Sequence, residues 1–95
     1  MTNSRHNWQV EESLTMTTVP DILKQFAKRY PKRGSWVIDL SKVDQFDSAG
    51  VAFLLHCMRY AKQHQIQLSV HGIQVSDVDL MKAQGVWALI EPLTH

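Results

Sequence analysis

The chain has 95 residues, of which 44% are apolar and 20% are charged, and its formal net charge is +1 at pH 7. This length supports one compact core and excludes a second one. The near-neutral charge argues against nucleic-acid binding, and no 18-residue apolar run predicts a transmembrane helix. Residues 1–7 lack the apolar segment of a secretory signal and are predicted to be a flexible N-terminus before a domain over residues 8–95. With its single cysteine, Cys57, the chain is expected to be cytoplasmic.

The N-terminal third of the domain predicts strand structure followed by a helix. Apolar residues alternate at Trp8 and Val10 and resume at Leu14 and Met16, which predicts two short antiparallel strands, or one bent strand, with a break near Ser13. The tetrapeptide at residues 18–21, Thr-Val-Pro-Asp, is typical of a helix start. Apolar residues at helical spacing continue that helix: Ile22, Leu23, Phe26, Ala27 and Tyr30.

Five of the ten basic residues lie near the end of this helix: Lys24, Lys28, Arg29, Lys32 and Arg33. Pro31 and Gly34 indicate where the helix ends. A basic run this short is usually a solvated helix face, and its cations also suit a helix C-terminus. The alternative is contact with an acidic partner or with anionic lipid headgroups.

The centre of the chain predicts a buried strand joined by a short turn to an amphipathic helix. Residues 35–40 form the most apolar strand, which we place centrally in the sheet and expect to be buried on both faces. Asp39 is the lone acid in it and is expected to accept hydrogen bonds from backbone amides of the next turn. A helix over residues 48–63, capped by Asp47 or Ser48, directs an apolar stripe inward: Val51, Leu54, Leu55, Met58 and Ala61.

The last third predicts one more strand, a third helix and an apolar tail. Residues 65–70 alternate as a strand, and a capping box over residues 76–79 opens a helix that ends at Gly85. Within residues 86–93, Trp87 and Ile90 are expected to pack back on the sheet. Strands that alternate with helices favour parallel neighbours, so the full pattern predicts an α/β domain with a mixed β-sheet and helices packed mainly against it.

The residues that carry chemistry do not form a recognisable catalytic set. Ser48 has no base beside it in sequence, and Cys57 lies between apolar helical residues, as a packed thiol does. The histidines form no i, i+4 ligand pair, and no glycine-rich phosphate loop is present. We therefore predict no catalytic residue, no metal site, no cofactor and no enzymatic activity.

One stretch carries a resemblance to a known family. Asp39-Leu-Ser, Val43 and the run Phe46-Asp-Ser-Ala-Gly-Val resemble the signature of the STAS domain family, which includes the anti-sigma-factor antagonists. The continuation to His56, followed by Ala61-Lys62, resembles more specifically the small STAS protein of the Mla phospholipid transport system. The resemblance covers residues 10–93 and implies a single STAS-like domain.

The same stretch also departs from part of that family. In anti-sigma-factor antagonists a partner kinase phosphorylates the serine immediately before the glycine, and that position here is Ala49. In the Mla protein a hydroxyl residue and the preceding acid match Ser48 and Asp47. The resemblance therefore implies a constitutive binding surface rather than a kinase substrate.

The function implied by the resemblance is that of a non-enzymatic adaptor. It binds and supports the ATPase subunit of the Mla ABC transporter, and through it the permease complex, in the system that maintains outer-membrane lipid asymmetry. Such a protein is cytoplasmic and reaches the inner membrane only through its partners. The alternative is a regulator of the anti-sigma-factor antagonist type.

The predicted partner-binding residues lie at the start of the second helix: Asp47, Ser48, Ala49, Gly50, Ala52, Phe53 and His56. Gly50 is expected to allow close approach of another backbone or of a partner. Phe53 points outward or sideways on the helical wheel and is a candidate anchor, because aromatic residues concentrate binding energy. The competing interpretation of Phe53 is packing against a neighbouring helix, and that of His56 is an ordinary surface histidine.

Overall fold

The computed structural model describes residues 5–26 and 31–94. Strands and helices alternate along the chain, as the hydrophobic pattern predicts, and the α/β fold class is confirmed. The elements are β1 (Arg5–Gln9), α1 (Val19–Phe26), β2 (Ser35–Asp39), α2 (Ser48–Gln63), β3 (Gln67–His71), α3 (Val75–Ala83), α4 (Trp87–Ile90) and a 3-10 turn (Glu91–Leu93).

The described strands form one sheet in the order β1-β2-β3, and both strand pairs are parallel. Trp8 lies opposite Ile38, and Ile38 lies opposite Val70. The predicted central place of β2 is confirmed, and β1 already includes residues 5–7 of the segment predicted to be flexible. Each crossover contains a helix, and α1 packs against α2. The start of α1 therefore lies beyond the carboxyl end of β1, and the start of α2 lies beyond the carboxyl end of β2.

The prediction of an antiparallel strand around Leu14 and Met16 is wrong for the described chain. The described sheet is also parallel rather than mixed. Leu14 forms a single parallel bridge with Phe46, and Met16 is 77% exposed. Alternation of apolar residues indicates a half-buried strand but not its pairing direction. Here a helical crossover follows β1, and such crossovers join parallel strands.

The core lies between the sheet and the inner faces of the helices. Trp36 and Ile38 of β2 are buried, whereas Val37 and Asp39 on the other face are only partly covered. The prediction that this strand is buried on both faces is therefore wrong. The largest fully buried side chains are Trp36, Phe53, Leu14, Ile38, Leu40, Leu54, Met81, Ile90, Val10, Val51 and Val70.

The predicted start of α1 is confirmed to within one residue, because the helix begins at Val19. Just before it, the Thr18 hydroxyl donates to the Ser13 carbonyl and accepts from Thr15 N at 3.0 Å. The predictions for Ala27, Lys28, Arg29 and Tyr30, and for the Phe26 side chain, lie outside the described residues. Beyond that gap, Pro31 is buried and its carbonyl accepts from the Tyr60 hydroxyl at 2.9 Å.

The C-terminal third consists of α3, α4 and the 3-10 turn that contacts β3. Helix α3 begins at Val75, so Ser76 lies inside the helix rather than capping it; Gln74 N donates to Asp77 Oδ2 at 3.4 Å instead. The predicted end at Gly85 is supported by its φ of 73°, which favours glycine. Ile90 is buried and the 3-10 turn contacts β3, as expected for a tail that packs back on the sheet.

Candidate functional site

The start of α2 is held in place by one carboxylate. Asp47 is the N-cap residue; its Oδ1 accepts from Ala49 N at 2.8 Å and its Oδ2 accepts from Met16 N at 3.2 Å. The first bond satisfies an amide that the helix itself leaves unpaired. The second joins the loop before α1 to the start of α2. The structure thus selects Asp47 over Ser48 as the cap, and Asp47 acts as a positioning residue.

Ser48 is exposed at the first position of α2. Its hydroxyl oxygen accepts a hydrogen bond from Gln84 Nε2 at 2.9 Å, and both side chains face solvent. Gln84 is the C-cap residue of α3, so this contact joins α2 to the end of α3 through two residues 36 positions apart in the sequence. A carboxamide does not take up a proton at neutral pH, so Gln84 is not a general base for Ser48. No local pattern around Gln84 indicates this contact.

Gly50 is buried and its close neighbours belong to the chain itself. A Cβ at this position would lie 2.7 Å from the Phe46 ring and 3.0 Å from the Leu14 carbonyl oxygen. The close approach predicted at Gly50 is therefore made by Phe46 and Leu14. In this structure Gly50 allows Phe46 and Leu14 to pack beneath the first turn of α2, and it is not itself available to a partner.

The prediction that Phe53 points outward or sideways as an anchor is wrong. Phe53 is only 1% exposed, and its ring packs edge-on against Trp8 with centroids 5.8 Å apart. The apolar stripe of α2 is broader than the predicted one. The sheet covers one side of the helix, and α1 and the end of β1 cover its flank. Packing against neighbouring elements, the competing interpretation, is what the structure shows.

The other predicted residues remain accessible along one line of α2. Ala52 and His56 are exposed like Ser48, and Ala49 is half-buried. Ser48, Ala52 and His56 are spaced four residues apart, so they follow one ridge of the helix. The exposed part of the predicted site is therefore a ridge of a hydroxyl, a methyl group and an imidazole; we call Ser48, Ala52 and His56 the α2 ridge.

A groove of about 340 Å³ lies between α1 and α2, beside the α2 ridge. Its walls are mainly apolar, and Phe53 contributes to them despite its burial. The described lining residues are Val19, Leu23, Ala52, Phe53, Leu55, His56 and Arg59. Two ridge residues, Ala52 and His56, therefore also line the groove. Sequence reasoning identified the ridge but missed the groove, because its other wall comes from α1.

Met16 is a second feature that the sequence pattern missed. Its side chain is 77% exposed, while its backbone amide is bonded to Asp47 at the cap of α2. An exposed apolar side chain is thus held close to the α2 ridge. The apolar alternation predicts a short strand at Met16, and no local signal indicates otherwise.

The cysteine of α2 is not part of this surface. Cys57 is fully buried, and loss of hydration raises the pKa of its thiol well above the usual value. Among the residues that the structure describes, no group of three or more His, Cys, Asp or Glu side chains is arranged to hold a metal ion. Within the same ranges, no helix is both long and apolar enough to cross a membrane.

Comparison with known proteins identifies the family. A family model described as "Mlab, STAS domain" matches residues 4–91. A search of curated proteins finds no match to the chain. STAS domains include MlaB-type and anti-sigma-factor-antagonist types, and they are generally binding or regulatory modules without enzymatic activity. Because the match spans almost the entire sequence, from before β1 to the tail, this protein belongs to the STAS domain family.

Proposed function

We propose that this protein is a non-enzymatic adaptor for the ATPase subunit of the Mla phospholipid ABC transporter. It binds that subunit and supports its activity, in the cytoplasm at the inner membrane, in the system that maintains outer-membrane lipid asymmetry. Contact with the permease complex is indirect and runs through the ATPase. The observation that carries the proposal is the exposed, firmly supported α2 ridge, which begins at the Ser48 hydroxyl.

The support beneath the ridge favours constitutive binding. The Asp47 cap and the packing of Phe46 and Leu14 on Gly50 support the first turn of α2. A preorganised surface loses little conformational entropy when a partner docks. The small side chains of Ser48 and Ala52 also allow the partner's backbone to come close. These features suit a module that remains bound to one protein.

The sequence of the first turn supports the Mla branch over the alternative. Ala49 occupies the position at which the resembling anti-sigma-factor antagonists carry their phosphorylated serine. Without a hydroxyl there, the phosphate switch of that branch has no acceptor at the matching position. The family description matched by this chain, "Mlab, STAS domain", points in the same direction.

The test is a substitution that places a bulky charge on the ridge. We expect Ser48→Glu to weaken binding to the purified ATPase subunit at least roughly thirtyfold, or about 2 kcal/mol, because the interface would bury an unpaired carboxylate. The fold should persist, because an acidic residue is favourable in the first turn of a helix. The readouts are co-purification and calorimetric titration, with circular dichroism to verify the fold.

The matched control is Ser76→Glu. Ser76 is also an exposed serine in the first turn of a helix, α3, but it lies outside the α2 ridge. This variant should bind as the unmodified protein does. Undiminished binding by Ser48→Glu would count against the adaptor function. So would an ATPase subunit that binds neither the unmodified protein nor either variant.

The second candidate is a regulator of the anti-sigma-factor antagonist type, and the exposure of the Ser48 hydroxyl is the observation in its favour. A phosphate on Ser48 would add about −1.5 to −2 charges to the ridge. Intact-mass spectrometry after incubation with a purified kinase of the anti-sigma-factor type distinguishes the two functions. Stoichiometric phosphorylation of Ser48, absent in Ser48→Ala, would favour the regulator.

A further inference from the structure

The groove between α1 and α2 has the composition of a binding site for an apolar group. Val19 and Leu23 form one wall, and Ala52 and Leu55 contribute from the other helix. Its volume of about 340 Å³ falls within the range of small ligand-binding clefts, and it is large enough for an apolar side chain. Because Ala52 and His56 belong to both the groove and the α2 ridge, a partner seated on the ridge lies over the groove as well.

Among the described residues, the one side chain with a permanent charge that lines this groove is a cation, Arg59. Arg59 is exposed and lines the groove, and its guanidinium makes no ion pair or hydrogen bond within the described part of the chain. Lys24, the residue after Leu23 in α1, is exposed but is not among the described lining residues. No carboxylate is among the described lining residues. Asp21, on the same helix, is two residues from Leu23 and therefore faces another direction.

We propose that this groove receives an acidic, apolar segment of the ATPase partner, and this inference rests on the proposed function. One apolar side chain of that segment enters between α1 and α2, and a neighbouring carboxylate pairs with the Arg59 guanidinium. Arginine suits this role because its planar fork binds a carboxylate through two hydrogen bonds. A groove with an apolar floor and a cationic rim is complementary to an amphipathic segment with an acidic flank.

The experiment measures binding of the full chain to the purified ATPase subunit, at low and at moderate salt. Arg59→Glu reverses the rim charge at an exposed position. We expect it to weaken binding at least tenfold at low salt, with a smaller effect as salt rises. Arg59→Lys, which keeps the charge but loses the fork, should give an intermediate loss. Ala52→Trp, which fills the groove from an exposed helical position, should also weaken binding about tenfold.

The matched control for charge is Lys62→Glu. Lys62 is an exposed cation on the same helix, but it lines a different groove, formed with Leu68 and Leu89. Its reversal should change the affinity less than twofold, so a general effect of net charge is separated from a local one.

Each outcome bears on the proposal. If Ser48→Glu abolishes binding while Arg59→Glu and Ala52→Trp bind normally, the groove assignment is overturned and the adaptor function remains. If the unmodified chain does not bind the ATPase, both fall. Equal losses for Arg59→Glu and Lys62→Glu would also refute a specific ion pair. Concentration-dependent dimerisation that Ala52→Trp abolishes would assign the groove to a second copy of this chain and overturn the proposal.

Discussion

Substitution of Gly50 by alanine tests whether internal packing supports the α2 ridge. Two effects oppose each other. Alanine is favoured over glycine within a helix by up to about 1 kcal/mol. Against this, the new methyl group would lie 2.7 Å from the Phe46 ring and 3.0 Å from the Leu14 carbonyl oxygen. Inserting a methyl group into a tightly packed site typically costs about 1–3 kcal/mol.

The surroundings decide which effect is larger. The Leu14 carbonyl accepts from Asp47 N at 3.1 Å, and Leu14 N donates to the Gln45 carbonyl at 2.8 Å, so this backbone resists displacement. The half-buried Phe46 ring must move instead. We therefore expect Gly50→Ala to lower the free energy of unfolding by about 1–2 kcal/mol net. For a domain of this size the midpoint temperature should fall by roughly 5–10 °C.

Urea unfolding monitored by tryptophan fluorescence measures this change, and a double-mutant cycle with Phe46→Ala identifies its cause. With the ring removed, the additional cost of Gly50→Ala should shrink by about 1 kcal/mol, because the ring clash is gone and only the carbonyl contact remains. A stabilised Gly50→Ala protein, or a cost unchanged by Phe46→Ala, would refute the packing argument.

Two further predictions concern titratable groups. Hydrogen bonds donated by Ser41 hold the pKa of Asp39 below its usual value, so its contribution to stability is present above the unfolded-state pKa and is lost as the pH falls through the lower folded-state pKa. Asp39→Asn should therefore flatten the decline of unfolding free energy below about pH 4. An acid limb as steep as that of the unmodified protein would contradict this. Because burial raises the pKa of the Cys57 thiol, the folded protein should react with a thiol reagent at pH 8 far more slowly than the protein unfolded in urea, and comparable rates would show that Cys57 is accessible.

The sequence alone determined the features that depend on neighbouring residues. An apolar run located β2, period-2 alternation located β3, and the helical period located α2. Capping residues and Gly85 located α3, and most ends of these elements agree to within one or two residues. The bond from Ser41 N to Asp39 was also predictable, because a carboxylate two residues before an amide reaches it within one turn. The STAS signature lies in this same local stretch, and the family match confirmed it.

Only the tertiary structure decided which surfaces are covered. A helical wheel gives the direction of Phe53 relative to its own helix, but Trp8, 45 positions earlier, determines that this direction is buried. Likewise, β1 is parallel because α1 crosses between the strands, and the alternation that defines a strand is the same for either pairing direction. The Ser48–Gln84 contact and the groove beside Arg59 both join elements distant in the chain. Burial and grooves depend on the neighbours that folding brings together, so local periodicity predicts elements more reliably than binding surfaces.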